Sequence, residues 1–153
     1  MYEEKINAYF DAPERRAELV EAISRLVRIR SVREEPLPGM PFGPGPAAAL
    51  AEGLNLAEEL GFATRNYDNY VGTADLNDKE TALHILCHLD VVGEGTGWTV
   101  TEPDVTKAVD GMLYGGGTDD DKGPVAAAVL AMKAVKELGL PPRRHATLPK
   151  GTA

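Results

Sequence analysis

The feature that most limits the fold is a short apolar run, Ala82 to Cys87 (Ala-Leu-His-Ile-Leu-Cys), set between helical segments. Its length is that of a strand, and its near-continuous apolar character predicts cover on both faces. Upstream, Leu19, Ile23, Leu26 and Val27 recur at helical spacing and predict an amphipathic helix to about Arg30. Asp11 reads as its N-cap, with Pro13 in the first turn and Glu14 three residues after the cap. Pro36 to Pro46 is a proline- and glycine-rich crossing loop. Ala47 to Leu60 predicts a second helix closed by Gly61. Phe62–Tyr67 and Tyr70–Ala74 read as strands turned by Asp68-Asn69, and Met112–Tyr114 as a short extended piece. Pro124 to Leu138 is an alanine-rich helix stopped by Gly139 and Pro141-Pro142. Helices alternating with buried strands define an α/β class, a mixed sheet flanked by helices.

Composition matters for what it excludes. The 153 residues carry a formal charge of −8, and no basic stripe is present to neutralise phosphates, so nucleic acid is not an expected partner. No segment reaches the roughly 18 apolar residues of a membrane span. Glu3, Glu4 and Lys5 stand where a secretory leader would be apolar. Cys87 is the one cysteine, so no intrachain disulfide can form. A cytoplasmic chain is the expectation.

Two clusters carry chemistry, and both lie where a strand gives way to a loop. In His88-Leu89-Asp90 the alternation of an extended backbone sends the first and third side chains to the same side. A carboxylate so placed can hold an imidazole in one tautomer and raise its basicity, a common arrangement behind a metal ligand. A histidine at a strand end with an aspartate capping nearby amides has the same short pattern, so His-x-Asp alone decides little. The second cluster is Gly115-Gly116-Gly117-Thr118-Asp119-Asp120-Asp121-Lys122-Gly123. Adjacent carboxylates repel, and a folded loop holding three of them calls for a cation or amide donors. Capping of the helix that follows accounts for one aspartate, and less easily for three.

Other motifs fail. The loop lacks the Gly-Lys-Ser/Thr ending of a phosphate-binding loop and the spaced acids of an EF-hand. Cys87 reads as packing and Trp98 as core or loop anchor, while His84 and His145 have no evident partner.

Taken in order, the segments His88-Leu89-Asp90-Val91-Val92, Gly97-Trp98, Asp110-Gly111-Met112-Leu113-Tyr114-Gly115 and Asp120-Asp121-Lys122-Gly123-Pro124 resemble the signature of the M-twenty metallopeptidases. Pro38-Gly39-Met40-Pro41-Phe42-Gly43 and Asn66-Tyr67-Asp68-Asn69-Tyr70-Val71-Gly72 resemble its dipeptidase branch, which includes bacterial Xaa-His (carnosine-cleaving) enzymes. The resemblance implies zinc-dependent hydrolysis of dipeptides or short peptides with a free amino end. It implies two zinc ions, with cobalt or manganese as alternatives, bridged by one aspartate and a water. His88 would bind one ion, Asp90 would orient His88 as a catalytic residue, and Asp120 would bridge, followed by a cis peptide bond.

The departures are specific. Gly116 stands where the family usually has arginine, which predicts a looser loop. Family members continue past the Arg143-Arg144 region with an apolar strand and a Gly-Thr-Asp-Glu-Glu stretch that supplies the general base and a further ligand. Here the sequence reads His145-Ala146-Thr147-Leu148-Pro149-Lys150-Gly151-Thr152-Ala153. The expectation is a partial catalytic domain over 1–144 and a divergent tail over 145–153, the product of a truncation, a frameshift or a deliberate cut. Such a chain would lack the general base and be inactive; the alternative reading is a non-catalytic metal-binding remnant or interaction protein. Pro149 is expected to interrupt the strand. Loss of that strand would expose Ile85, Val91, Val129 and Leu130 and favour self-association.

Overall fold

The computed structural model describes residues 2–79, 81–140 and 145–151. Helices α1 (Tyr2–Asp11), α2 (Pro13–Val27) and α3 (Pro44–Glu59) come first, then the hairpin β1 (Ala63–Tyr67) and β2 (Val71–Asp75). Next are β3 (Thr81–His84), β4 (Cys87–His88), a second hairpin of β5 (Lys107–Val109) and β6 (Met112–Tyr114), α4 (Lys122–Glu137) and β7 (His145–Gly151).

Asp11 does not cap α2. It ends α1, and Ala12 takes the N-cap position in an extended conformation with no side-chain hydrogen bond. The cause is Pro13, whose ring drives the residue before it out of helical geometry and so sets the break one residue later. Helix α3 begins at Pro44, ahead of its predicted start at Ala47, since proline is preorganised for a first turn.

The main sheet is mixed. Strand β2 pairs antiparallel with β1 and with β7, and β7 pairs parallel with both β3 and β4. The predicted interruption at Pro149 is therefore corrected, because β7 runs through Pro149 in register with Thr73 of β2. On its other side β7 has partners at His145, Ala146 and Thr147, then again at Lys150 and Gly151. Leu148 and Pro149 fall at the gap, opposite the break between β3 and β4 at Ile85-Leu86. The residue without an amide hydrogen sits where that ladder is already open.

The same break corrects the reading of Ala82–Cys87 as one strand covered on both faces. Leu83 is 54% and Leu86 78% exposed, whereas Cys87 is buried. An apolar run reports that cover is available somewhere, not that neighbours lie on both sides.

The core is built where helices meet the sheet. Leu26 and Val27 of α2, Leu50 and Ala57 of α3, and Val125, Ala126 and Val129 of α4 are buried with Ala74 and Leu89. Gly72 of β2 lies so close to α3 that an added Cβ would stand 2.8 Å from Leu54 and 2.9 Å from Leu50. Val129 and Leu130 are thus buried, and Ile85 and Val91 half-buried, against the expected exposure of all four. Helix α4 shields the first two by packing its apolar side against α2 and the sheet.

Candidate metal centre

The site forms where β4 ends and where the acidic loop enters α4. The His88 backbone amide donates to Asp121 Oδ2 at 2.9 Å, which ties the strand end to the start of the helix. On the ring, Nδ1 lies 3.1 Å from the Asp90 carbonyl oxygen and 3.5 Å from Asp90 Oδ1. The other ring nitrogen, Nε2, lies 3.0 Å from Asp120 Oδ1. Asp90 and Asp120 therefore stand on opposite edges of one imidazole.

The three carboxylates of the loop divide their work. Asp119 is exposed, Asp120 meets the imidazole with 84% of its side chain open to solvent, and Asp121 accepts from the His88 amide. The contact of Asp121 was absent from the sequence reading, and no signal marks it beyond its place in the acidic run. The peptide bond between Asp120 and Asp121 is cis.

Around them the backbone is close-set. Gly116 donates to the Pro103 carbonyl at 2.6 Å, and a Cβ at Gly116 would stand 2.8 Å from that oxygen. The glycine predicted to loosen the loop instead permits this approach. Gly117 takes φ +79°, a conformation that favours glycine. Lys122 is 1% exposed, and its Nζ donates to the Ile29 carbonyl at 2.7 Å. Burial lowers its pKa to about 8. Partial burial also opposes the charged form of His88. The Asp90 carbonyl, the Asp90 charge and the Asp120 hydrogen bond outweigh it, so the His88 pKa is raised.

These groups line a cleft of about 350 Å³, with Trp98, Val91 and Pro103 on its apolar side. The Trp98 indole is fixed by donation from Nε1 to the Glu94 carbonyl at 2.7 Å. It is a loop anchor and not a core residue, being 40% exposed.

The donor chemistry fits a divalent transition metal as far as it goes. An imidazole nitrogen and a carboxylate oxygen that converge, with a second carboxylate behind the ring, are what zinc takes from proteins. Among the described residues no group of three or more potential ligands comes together. The described side chains thus offer part of a coordination shell.

His88 and Asp120 thus converge on an α/β frame at the end of a short parallel strand. Residues 84–148 match the sequence model of Peptidase family M20/M25/M40. YtjP of Bacillus subtilis (strain 168) is 37% identical over 140 residues, spanning 90% of this chain and 30% of that protein. The Beta-Ala-Xaa dipeptidase of Lactobacillus delbrueckii subsp. lactis is 37% identical over 112 residues, 73% of this chain and 24% of the relative. Human carnosine dipeptidase 1 superposes with a TM-score of 0.79 at 27% identity, covering 97% of this chain and 34% of that one. The chain spans about a third or less of the length of each of these proteins.

Proposed function

We propose that this chain carries one face of a dinuclear zinc dipeptidase site, with His88 and Asp120 as ligands and Asp90 as the residue that orients His88. The observation that carries the reading is the 3.0 Å approach of His88 Nε2 to Asp120 Oδ1, with Asp90 at the opposite nitrogen. Cobalt or manganese could serve the same donors. The substrate class is a dipeptide or short peptide with a free amino end, supported by the similarity to a Beta-Ala-Xaa dipeptidase and to carnosine dipeptidase 1.

The chemistry that zinc supplies when bound is polarisation of the scissile carbonyl. Asp90 holds the imidazole so that Nε2 faces Asp120, and Asp121 fixes the backbone beneath it. Trp98 and Pro103 line one side of the cleft, where they would shield a bound peptide from water. A cytoplasmic location belongs to the same reading, supported by a single, buried cysteine. Among the described residues no helix is long and apolar enough to cross a membrane.

A positioned general base contributes about 100- to 10,000-fold to a rate. Glu94, the glutamate that lines the described cleft, is paired with Arg30 and is not free to act as that base. The 153-residue chain alone is therefore expected to bind zinc and show no useful turnover of a dipeptide such as β-alanyl-histidine. Robust turnover abolished by His88→Ala would overturn the half-site reading. Absence of zinc binding would overturn the metal assignment and leave a non-catalytic remnant.

A further inference from the structure

We infer that residues 29–32, the segment leaving α2, form a clasp that sets the spacing of His88 and Asp120, with Ser31 and Lys122 as its positioning residues. The inference rests on the reading of His88 and Asp120 as partners at one metal.

Ser31 is fully buried although polar, and both of its oxygens are used on the loop that carries Asp90. Its Oγ donates to the Leu89 carbonyl at 2.6 Å, and its carbonyl accepts from the Val91 amide at 3.2 Å. Val32 and Val91 extend this contact as a parallel bridge. The peptide groups on both sides of Asp90 are thus tied to Ser31 and Val32, and His88 is the residue just before Leu89.

The acidic loop hangs on the same segment from the other side. Lys122, two positions after Asp120, donates to Ile29 through Nζ, and its stem lies under Gly117, where a Cβ would stand 3.2 Å from Lys122 Cδ. A third attachment reaches the cleft wall, where Arg30 Nε lies 2.5 Å from Glu94 Oε1. The segment is braced from behind by α3, since a Cβ on Gly45 would fall 2.5 Å from the Arg30 carbonyl oxygen. Four consecutive residues therefore hold the His88 loop, the acidic loop and the wall carrying Trp98. Metal sites need ligands held to within about 0.5 Å, and the groups behind the ligands supply that restraint.

The test uses the 153-residue chain with Ser31→Ala, Lys122→Met and Ser31→Thr, the last retaining the hydroxyl. Three quantities are read: zinc affinity by calorimetry, the His88 ring nitrogen signals of the metal-free chain by NMR, and the urea midpoint. Ser31→Ala and Lys122→Met are expected to lower zinc affinity about 10- to 100-fold. Both should also turn a single hydrogen-bonded His88 ring form into an averaged one, while Ser31→Thr stays near the parent. A purely structural role would move the urea midpoint and leave the affinity and ring signals of the folded fraction unchanged, which overturns the clasp. If Ser31→Ala does not fold, Lys122→Met decides on the same readouts. A parent chain with a fixed His88 ring and no zinc binding would sink the metal reading alone, and the ring signals would still decide the clasp.

Discussion

The two banks of the candidate site are held in different ways. On the helical bank, Lys122, Val125 and Ala126 are all but fully buried, and the acidic loop is fastened by Gly116 to Pro103 and by Lys122 to Ile29. On the strand bank, Leu83, Leu86 and Val92 are 54%, 78% and 88% exposed, and β4 is only two residues long. A rigid bank and a thinly supported one meet at His88. The geometry of the site is thus set mainly from the helices, and the strand side depends on β7 for its ladder.

Breaking the rigid bank should have the largest consequence. Leu26→Ala empties a fully buried position between α2 and the rest of the core, and we expect a loss of about 2–5 kcal/mol in urea unfolding. Gly45→Ala forces a Cβ against the Arg30 carbonyl and overpacks the brace behind residues 29–32. The expected cost is about 1–3 kcal/mol by the same measurement. A neutral Leu26→Ala would contradict the placement of the core.

The ion pairs on the outside of the helical bank matter less. Glu18 bonds to Lys133 and Arg15, and although burial pushes its carboxyl pKa up, these partners hold it below the usual range. A carboxylate with a lowered folded pKa stabilises the fold above its unfolded pKa. That contribution is lost as pH falls through the folded value. Glu18→Gln should therefore cost about 0–1 kcal/mol near neutrality and flatten the acid limb of the stability curve below about pH 4. An unchanged acid limb would show that the pair is screened out.

The strand bank predicts the smallest change in stability. Leu86→Lys should alter the unfolding free energy by no more than about 0.5 kcal/mol, because the side chain touches little. The parent chain is expected to self-associate through this exposed apolar surface, and Leu86→Lys to reduce the rise of mass with concentration in light scattering. A parent mass that stays monomeric at every concentration would remove self-association from the account.

The same contrast explains what could be read from the sequence. Helices α2, α3 and α4 announced themselves, because their buried residues recur at helical spacing and proline or glycine marks their ends. Helix α1 escaped notice because it buries no residue and is attached through contacts such as Tyr9 to Glu137. Strand β5 is short and mostly exposed. The Asp110-Gly111 pair, with φ of 50° and 80°, was the available sign of its hairpin. Strand β7 was misjudged because a proline was weighed by local propensity, while its tolerance depends on a register that only tertiary pairing sets. At the site, the spacing in His88-Leu89-Asp90 indicated which side chains share a side, and the acidic run indicated a loop needing compensation. Nothing local distinguished Asp119 from Asp121, since their roles depend on where β4 ends.

That distinction supplies the most direct test of the metal assignment. Zinc binding by calorimetry should be compared for the parent chain, His88→Ala, Asp120→Asn and Asp119→Asn. The account predicts that the first two substitutions abolish or severely weaken binding, while Asp119→Asn, which alters an exposed neighbour of the same charge, leaves it close to the parent value. Equal losses from Asp119→Asn and Asp120→Asn would mean that the loop attracts the cation through its net charge alone, and would contradict a site built on His88 and Asp120.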